Sequence, residues 1–473
     1  MDSKSKRWMN HLGIAGGVIG AASLLGACGS AGGGSAAEGE DRIFDPDVEE
    51  VFRYGTAFGD ATEMLGDQVQ LGFDASGQLF ILDASSSRIL VVSPEGEYVR
   101  EFGRQGEGPG ELSRPLGMLV EDDGSVAILD ATKRAFTRFD PDGEYVGDTR
   151  TDVGFTPAEQ VGYLAAPGQV VFLGEGFNLP AAMGGRGQGG PGGGGNGAGV
   201  AGRRGGGARG QGRGGPEDFN PFGDYPETIP VRRISLLDGT SEIVHETWRP
   251  ALPVSTEDAV GIGGAMGRFF ANATVGFLPT VQFGAFRDGR IAVLDSTTYQ
   301  IDIIGASGGV EAVLRREIAP RVVTEELIQM ETDRRIAEIE AGNSPMMQGV
   351  NALGIMGGRG GGGGMEQAAM TQMIMQMELE QIEQMQYGPE VPVLKVMVVD
   401  RGGRIWVERT PESLQGPGPI DVFSVDAGYL GTFEPGAFGI PSAFGPDGRA
   451  AFIERDEFDV PTVVVRRLPD PLR

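Results

Sequence analysis

The chain has 473 residues and carries 66 acidic against 39 basic side chains, a formal net charge of −27, with one cysteine and two histidines. That length bounds the fold to one large or two ordinary domains, and the negative surface repels nucleic acid and anionic membranes. One cysteine excludes an intrachain disulfide, and two histidines exclude a three-histidine zinc site.

In chain order the first element is an address. Lys4, Lys6 and Arg7 precede an uncharged, glycine-containing apolar run, Leu12–Ala27. This is the charged and apolar pattern of an export signal over residues 1–27, too short and glycine-rich for a membrane span. Leu25-Gly26-Ala27-Cys28 is similar to the lipobox of bacterial lipoproteins; the competing reading is a small residue in a plain secretory cleavage site. The resemblance implies that Cys28 is acylated and becomes the new N-terminus, and two or more acyl chains hold a protein on a bilayer. The expected location is the bacterial cell envelope, lipid-anchored at the outer membrane or periplasmic face, with a flexible tether over 28–45. Without residues 1–27, which carry Lys4, Lys6 and Arg7 against Asp2, the chain stands at −29.

From residue 46 a repeat sets in. Residues 79–102, LFILDASSSRILVVSPEGEYVREF, reappear 47 positions later as VAILDATKRAFTRFDPDGEYVGDT. Short runs rich in Val, Ile and Phe alternate with turn dipeptides, Ser76-Gly77, Glu95-Gly96, Asp123-Gly124 and Asp142-Gly143. Each unit therefore reads as a four-stranded antiparallel meander, the size of a propeller blade. Degenerate copies follow at 281–304, 396–407 and 443–453. Six blades are expected, about 65–103, 113–149, 157–247, 275–317, 391–433 and 438–468. Glu49–Tyr54 is β-like and is expected to complete the last blade, so that the ring closes without free edges.

Phe102–Pro115, FGRQGEGPGELSRP, followed by GMLVEDDGSVAILD, resembles the NHL-type repeat. The whole chain is similar to the bacterial 6-bladed β-propeller lipoproteins. The likeness is strong over 65–150, fair over 278–317 and 391–453, and absent from two insertions. The family's aromatic after the turn glycine survives as Phe80 and Trp406 but is Ala127 and Ala292 in two blades. The fold class expected is all-β, a six-bladed propeller over 46–473 with a helical insertion and a disordered Gly/Arg-rich loop.

That loop spans 181–220. Its centre, Gly184–Gly215, has 19 glycines in 32 residues and five arginines, among them Arg204 and Arg213 in RGG phrases. Such phrases bind RNA in other settings, but too little apolar surface is present for the segment to order itself, and no nucleic-acid partner is expected. The second insertion, 321–387, is helical. Thr324 is a candidate N-cap, Glu325 and Glu326 suit the positive end of the dipole, and Gly342 suits a C-terminal stop. A second helix is expected over Met365–Gln386, with Met370, Met373, Ile374, Met377, Gln381, Ile382 and Met385 forming one apolar stripe. Thioether clusters can hold Cu(I), but packing across a propeller face or a partner contact accounts for the stripe.

The search for chemistry is mostly negative. His11 leaves with the signal, and His245 lies in an outer strand, so a Ser-His-Asp hydrolase has no base. Asp83, Asp130 and Asp295 recur at one position in three blades, where a carboxylate accepts hydrogen bonds from the following turn. Glu107 and Glu111 lie in a glycine-rich loop that reads as blade-to-blade geometry. No catalytic residue, metal ligand or binding residue is nominated; lipidation at Cys28 is the one modification expected. The functional expectation is a non-catalytic scaffold binding a protein or glycan partner. The alternative is a Ca²⁺-dependent lactonase-type hydrolase using acidic residues around the channel, which needs no histidine; a structural partner of an envelope complex shares every feature of the scaffold. No cofactor is expected, and Ca²⁺ belongs to the lactonase alternative alone.

Overall fold

The structure is a computed structural model. It describes residues 36–37, 41–46, 48–150, 163–173, 228–248, 275–342, 364–383, 385–424, 426, 428–456, 458, 460–470 and 472. The export signal, Cys28 and the Gly/Arg-rich segment therefore lie outside the described residues.

Six four-stranded antiparallel meanders follow one another along the chain, the fourth extended by Ala36–Ala37, which runs parallel to its outer strand. Blade 1 is Val69–Phe73, Leu79–Asp83, Arg88–Val92 and Tyr98–Phe102, and blade 2 is Pro115–Val120, Val126–Asp130, Ala135–Phe139 and Tyr145–Arg150. Blade 3 is Tyr163–Ala166, Gln169–Leu173, Thr228–Ser235 and Ser241–Trp248, so residues 174–227 interrupt it between its second and third strands. Blade 4 is Gln282–Ala285, Ile291–Leu294, Gln300–Ile304 and Val310–Arg316; blade 5 is Leu394–Val399, Ile405–Arg409, Ile420–Phe423 and Tyr429–Phe433. Blade 6 takes Ala443–Phe444, Arg449–Arg455 and Pro461–Arg467 from the end of the chain and Glu49–Tyr54 from its start. The blades fall where the repeat puts them, and Glu49–Tyr54 closes the ring.

The continuous apolar runs have a simple cause. Strand side chains alternate, and both faces of each blade are covered by a neighbour. Phe80, Leu82, Ile89 and Val91 of blade 1 point into the seam with blade 2, meeting Met118, Val120 and Ile128. The alternate residues Leu79, Ile81, Leu90 and Val92 point into the seam with blade 6, meeting Ala451, Val463 and Val465. The remaining buried clusters occupy the seams between blades 2 and 3, 3 and 4, 4 and 5, and 5 and 6. The core is thus six wedges around an axis. Each fully buried Leu, Ile, Val or Phe contributes about 1.5–3 kcal/mol relative to exposure.

The repeated Gly-Glu-Tyr-Val phrase has a second cause besides its turn. Gly96 and Gly143 have φ of 94° and 86°. A Cβ on either would lie 2.7 Å from an aromatic ring, Phe52 of blade 6 or Phe102 of blade 1. The glycine lets each outer turn slide beneath the aromatic of the preceding blade.

The tether expected over 28–45 is held on the propeller in its last residues. Phe44 N donates to Thr432 O at 2.9 Å, and Thr432 N to Arg42 O at 2.7 Å, a single parallel bridge on the edge of blade 5. Phe44 packs on the Phe433 ring at 4.8 Å, over Gly431, where any Cβ would strike it. Asp41 joins Arg316 at 2.7 Å and Arg409 at 2.6 Å, bridging blades 4 and 5. Beneath it, fully buried Asp421 accepts hydrogen bonds from Arg316 at 2.9 Å, Tyr299 at 2.6 Å and Thr432 at 2.5 Å. Burial pushes the Asp41 carboxyl up, but the bonds from Arg409 and Arg316 hold it below its ordinary value.

The helical insertion links blades 4 and 5. Its first helix, α1, runs Glu325–Glu340, with the Thr324 hydroxyl accepting Leu327 N and Gly342 in a left-handed conformation after it. The second, α2, runs Gly364–Ile382, and the chain turns extended at Gln386–Tyr387 rather than continuing the helix to Gln386. A two-stranded neck, Arg321–Val322 with Glu390–Val391, closes the base.

Candidate functional site

In a four-stranded meander the first and third connections leave at one end, and the second, with the link to the next blade, at the other. All six blades run in the same sense, so the ring has two unlike ends.

At the first end every described connection is a tight turn. In blade 2, Glu121 N donates to Ser125 O at 2.9 Å and Gly124 N to Glu121 O at 3.2 Å. The same pair of bonds recurs at Asp74–Gln78, Phe286–Arg290 and Asp400–Arg404, each with a left-handed glycine, Gly77, Gly289 or Gly403. The residue after the first turn position is Asp122 in blade 2, Arg287 in blade 4 and Arg401 in blade 5. These three meet. Arg401 and Arg287 both pair with Asp122, and Arg401 Nη1 also donates to Phe73 O of blade 1 at 2.9 Å. Blades 2 and 5 stand opposite each other, so this ion-paired group reaches across the axis at this end. Burial and the like charge of Arg287 lower the Arg401 pKa, and Asp122 opposes them. Glu121 accepts Gly168 N of blade 3 at 2.8 Å, and its burial pushes its pKa up.

Between the ends, two glutamines stitch inner strands together. Gln70 donates to Leu116 O at 2.6 Å and accepts Met118 N at 2.9 Å, so its amide acts as a strand residue between blades 1 and 2. Gln282 does the same between blades 4 and 5, donating to Lys395 O at 2.5 Å and accepting Met397 N at 2.7 Å. Two positions further on, Gly72 faces Val120 and Gly284 faces Val399; an added Cβ would come within 2.6 and 2.5 Å of them. The phrases VQLG and VQFG thus mark opposite seams of the ring.

The second end carries the long connections. Residues 174–227, the insertion after blade 4, the link 249–281, and the loops 55–68 and 103–114 all leave there. The recurrent acids stand at this end and are committed. Asp83 accepts Ser86 N at 3.2 Å and pairs with Arg88 at 3.3 Å. Asp130 accepts four backbone N–H groups, from Ser113, Arg114, Thr132 and Lys133, at 2.7–3.2 Å. Asp295 departs from the turn expectation: its carboxylate accepts the Thr247 hydroxyl of blade 3, at 2.8 Å. Glu111 caps its own loop, accepting Gly108 N at 2.9 Å and pairing with Arg104. Leu112, fully buried, pins that loop into the seam between blades 1 and 2. His245 pairs opposite Val231 in the outer strand of blade 3, remote from the channel. Among the described residues no group of three or more His, Cys, Asp or Glu side chains is placed to hold a metal.

The methionine stripe is corrected. Ile374 and Glu378 are buried on α2, while Met373 and Met377 are 54% and 43% exposed. On α1 the buried residues are Glu331 and Ile339, with Glu331 clamped by Arg334 and Arg335 at 2.7 Å. The hairpin is tied down at its base, where Thr332 meets the Tyr387 hydroxyl at 2.9 Å. Elsewhere, a cleft of about 380 Å³ at blade 6 has the apolar walls Phe438, Ile440 and Phe452, with Arg466 and Glu454 paired beside them.

Among the described residues no helix is long and apolar enough to cross a membrane. No curated protein matches the chain. Among solved structures it is similar to a Bacteroides fragilis protein described as exported, with 10% identity, TM-score 0.44, and 92% of this chain and 98% of the other covered. It is similar also to a Bacteroides vulgatus member of a family of uncharacterised domains, with 9% identity, TM-score 0.42, and coverage of 89% and 97%. A Xanthomonas campestris gluconolactonase follows, with 13% identity, TM-score 0.36, and coverage of 91% and 98%. Residues 64–165 match the model of the family described as 6-bladed beta-propeller. With that match over its first blades and six blades in a closed ring, the chain is a six-bladed β-propeller.

Proposed function

We propose that the protein is an envelope-anchored, non-catalytic scaffold that binds a protein or glycan partner through the end of the ring carrying the long connections. One observation carries this reading: the insertions leave from a single end, while the other end is built of tight turns and bridged by Asp122, Arg287 and Arg401. Binding surfaces are built on variable loops held by a rigid frame. Export and lipid anchoring at Cys28 belong to the proposal and rest on the sequence. Replacing Cys28→Ser should move the protein from the membrane fraction to the soluble one. Cross-linking in the native envelope should capture a partner that is lost when residues 325–382 are replaced by a short linker. Capture unchanged by that replacement and by loss of 184–215 would overturn the assignment of the binding end.

The alternative, a Ca²⁺-dependent lactonase-type hydrolase, requires free acidic side chains converging on the channel, and Asp83 and Asp130 are already committed to turns. Calorimetric titration of Ca²⁺ into chelator-treated protein separates the two. Binding of one ion with a raised melting temperature would displace the scaffold reading in favour of the enzyme.

A further inference from the structure

Residues 41–44 lie outside the ring, since each of the six blades has its four strands without them. They cross the outer edge of blade 5, and the ring meets them with three features in register. On the side of blade 4 stand the guanidiniums of Arg316 and Arg409, which share the buried Asp421 at 2.9 and 3.5 Å. Two cations against one carboxylate leave a positive charge over, and Asp41 answers it with a bond to each. On the edge itself Thr432 exchanges backbone bonds with Arg42 and Phe44, and the Tyr429 hydroxyl accepts Arg42 N at 3.1 Å. On the side of blade 6 the bare Gly431 leaves room for an aromatic ring, which Phe44 fills against Phe433.

A carboxylate pocket, a strand edge and an aromatic pocket are together the parts of a site that recognises an extended peptide by strand addition. Arg42 and Ile43 stay exposed, so the site reads the first and fourth positions of the segment and ignores the two between. The hold is light. Ile43 makes one parallel bridge, the weaker kind of pairing per residue. Asp41 is 31% exposed, so its ion pairs are partly solvated and hold less than buried ones would.

We propose that the outer edge of blade 5 is a peptide-binding site, held in cis by residues 41–44 and open to a partner protein's extended segment with aspartate first and phenylalanine fourth. It stands on the rim, goes beyond the reading of the loop-bearing end and does not depend on it. The chain's own segment is tethered, so it competes with a partner at an effective concentration on the order of millimolar. The test uses the full chain in detergent and a fluorescent synthetic peptide with the sequence of residues 40–47, followed by anisotropy. The peptide should bind the double variant Asp41→Ala/Phe44→Ala at least about tenfold more tightly than the unmodified protein, whose site is filled. Adding Arg409→Gln to that variant should weaken binding about tenfold, as should Asp41→Asn or Phe44→Ala in the peptide. Hydrogen exchange on the unmodified protein needs no variant: amides of residues 41–46 should exchange by local opening at least about a hundredfold faster than those of Ile420–Phe423 in the same blade. Four results would each overturn the proposal: a double variant that fails to fold, no peptide binding to it, equal affinity for both proteins, or exchange of residues 41–46 as slow as that of Ile420–Phe423.

Discussion

The two ends of the ring are made from the same six meanders and solve opposite problems. At the tight-turn end the turns close on their own backbone bonds, and side chains tie one blade to another: Asp122 to Arg287 and Arg401, Glu121 to the Gly168 N–H. At the other end the acids Asp83 and Asp130 support the turns beneath them, while the connections above grow long enough to hold a helical pair. The lesson is a division of labour. One end is built of short, similar turns, and the other carries connections of very different length.

That contrast can be broken by experiment. The largest effect is expected at the tight-turn end, from Gly143→Ala. The substitution forces a side chain into a left-handed conformation with φ of 86° and drives its Cβ to 2.7 Å from Phe102. A loss of about 2–4 kcal/mol in chemical denaturation is expected; a loss under 0.5 kcal/mol would show that the outer turns are not the frame. Next comes Arg401→Ala, which removes the cross-channel contact to blade 1 and one of two cations on Asp122. Because Asp122 is half exposed, about 1 kcal/mol is expected rather than the value of a buried pair.

Exchanging residues 184–215 for a short linker should change stability by no more than about 0.6 kcal/mol, since loop-closure entropy varies slowly with length. A larger loss would mean that this segment packs and that the two ends are less unlike than proposed. The smallest effect sharpens the contrast through pH. Burial raises the Glu121 pKa in the folded state, so the folded protein binds this proton more readily than the unfolded chain does. Glu121 therefore favours folding below its ordinary pKa and progressively disfavours it as pH rises through the raised value. Glu121→Gln, which keeps an acceptor for Gly168 N, should gain stability at neutral pH. The gain should fade on acidification, read from melts between pH 4 and 7.

Much of this was legible in the sequence, and the gaps have a physical pattern. The repeat of residues 79–102 placed six blades and assigned Glu49–Tyr54 to the sixth, because period-two strands with left-handed glycines leave few alternatives. The role of Asp83 and Asp130 followed from their position before a turn. Asp122, Arg287 and Arg401 were not legible, since they occupy equivalent places in different blades and meet only once the ring brings blade 5 opposite blade 2. Gln70 and Gln282 did carry a signal, the shared phrases VQLG and VQFG, but the signal does not say that an amide replaces a strand pairing. The methionine stripe failed for a different reason. Helical periodicity marks apolar residues on one face, but it does not say which face is covered: Ile374 and Glu378 are buried, while Met373 and Met377 are exposed.

The closing strand also governs the order of events in folding. Glu49–Tyr54 pairs with Pro461–Arg467, which lie about four hundred residues downstream. Until those residues are made, the sixth seam has no lid, and Leu79, Ile81 and Val92 of blade 1 lack the Val463 and Val465 that cover them. A contact so distant in sequence forms slowly, and the unfinished ring presents an apolar wall and an unpaired edge. A chain delivered N-terminus first would need something to shield blade 1 until the last strand arrives.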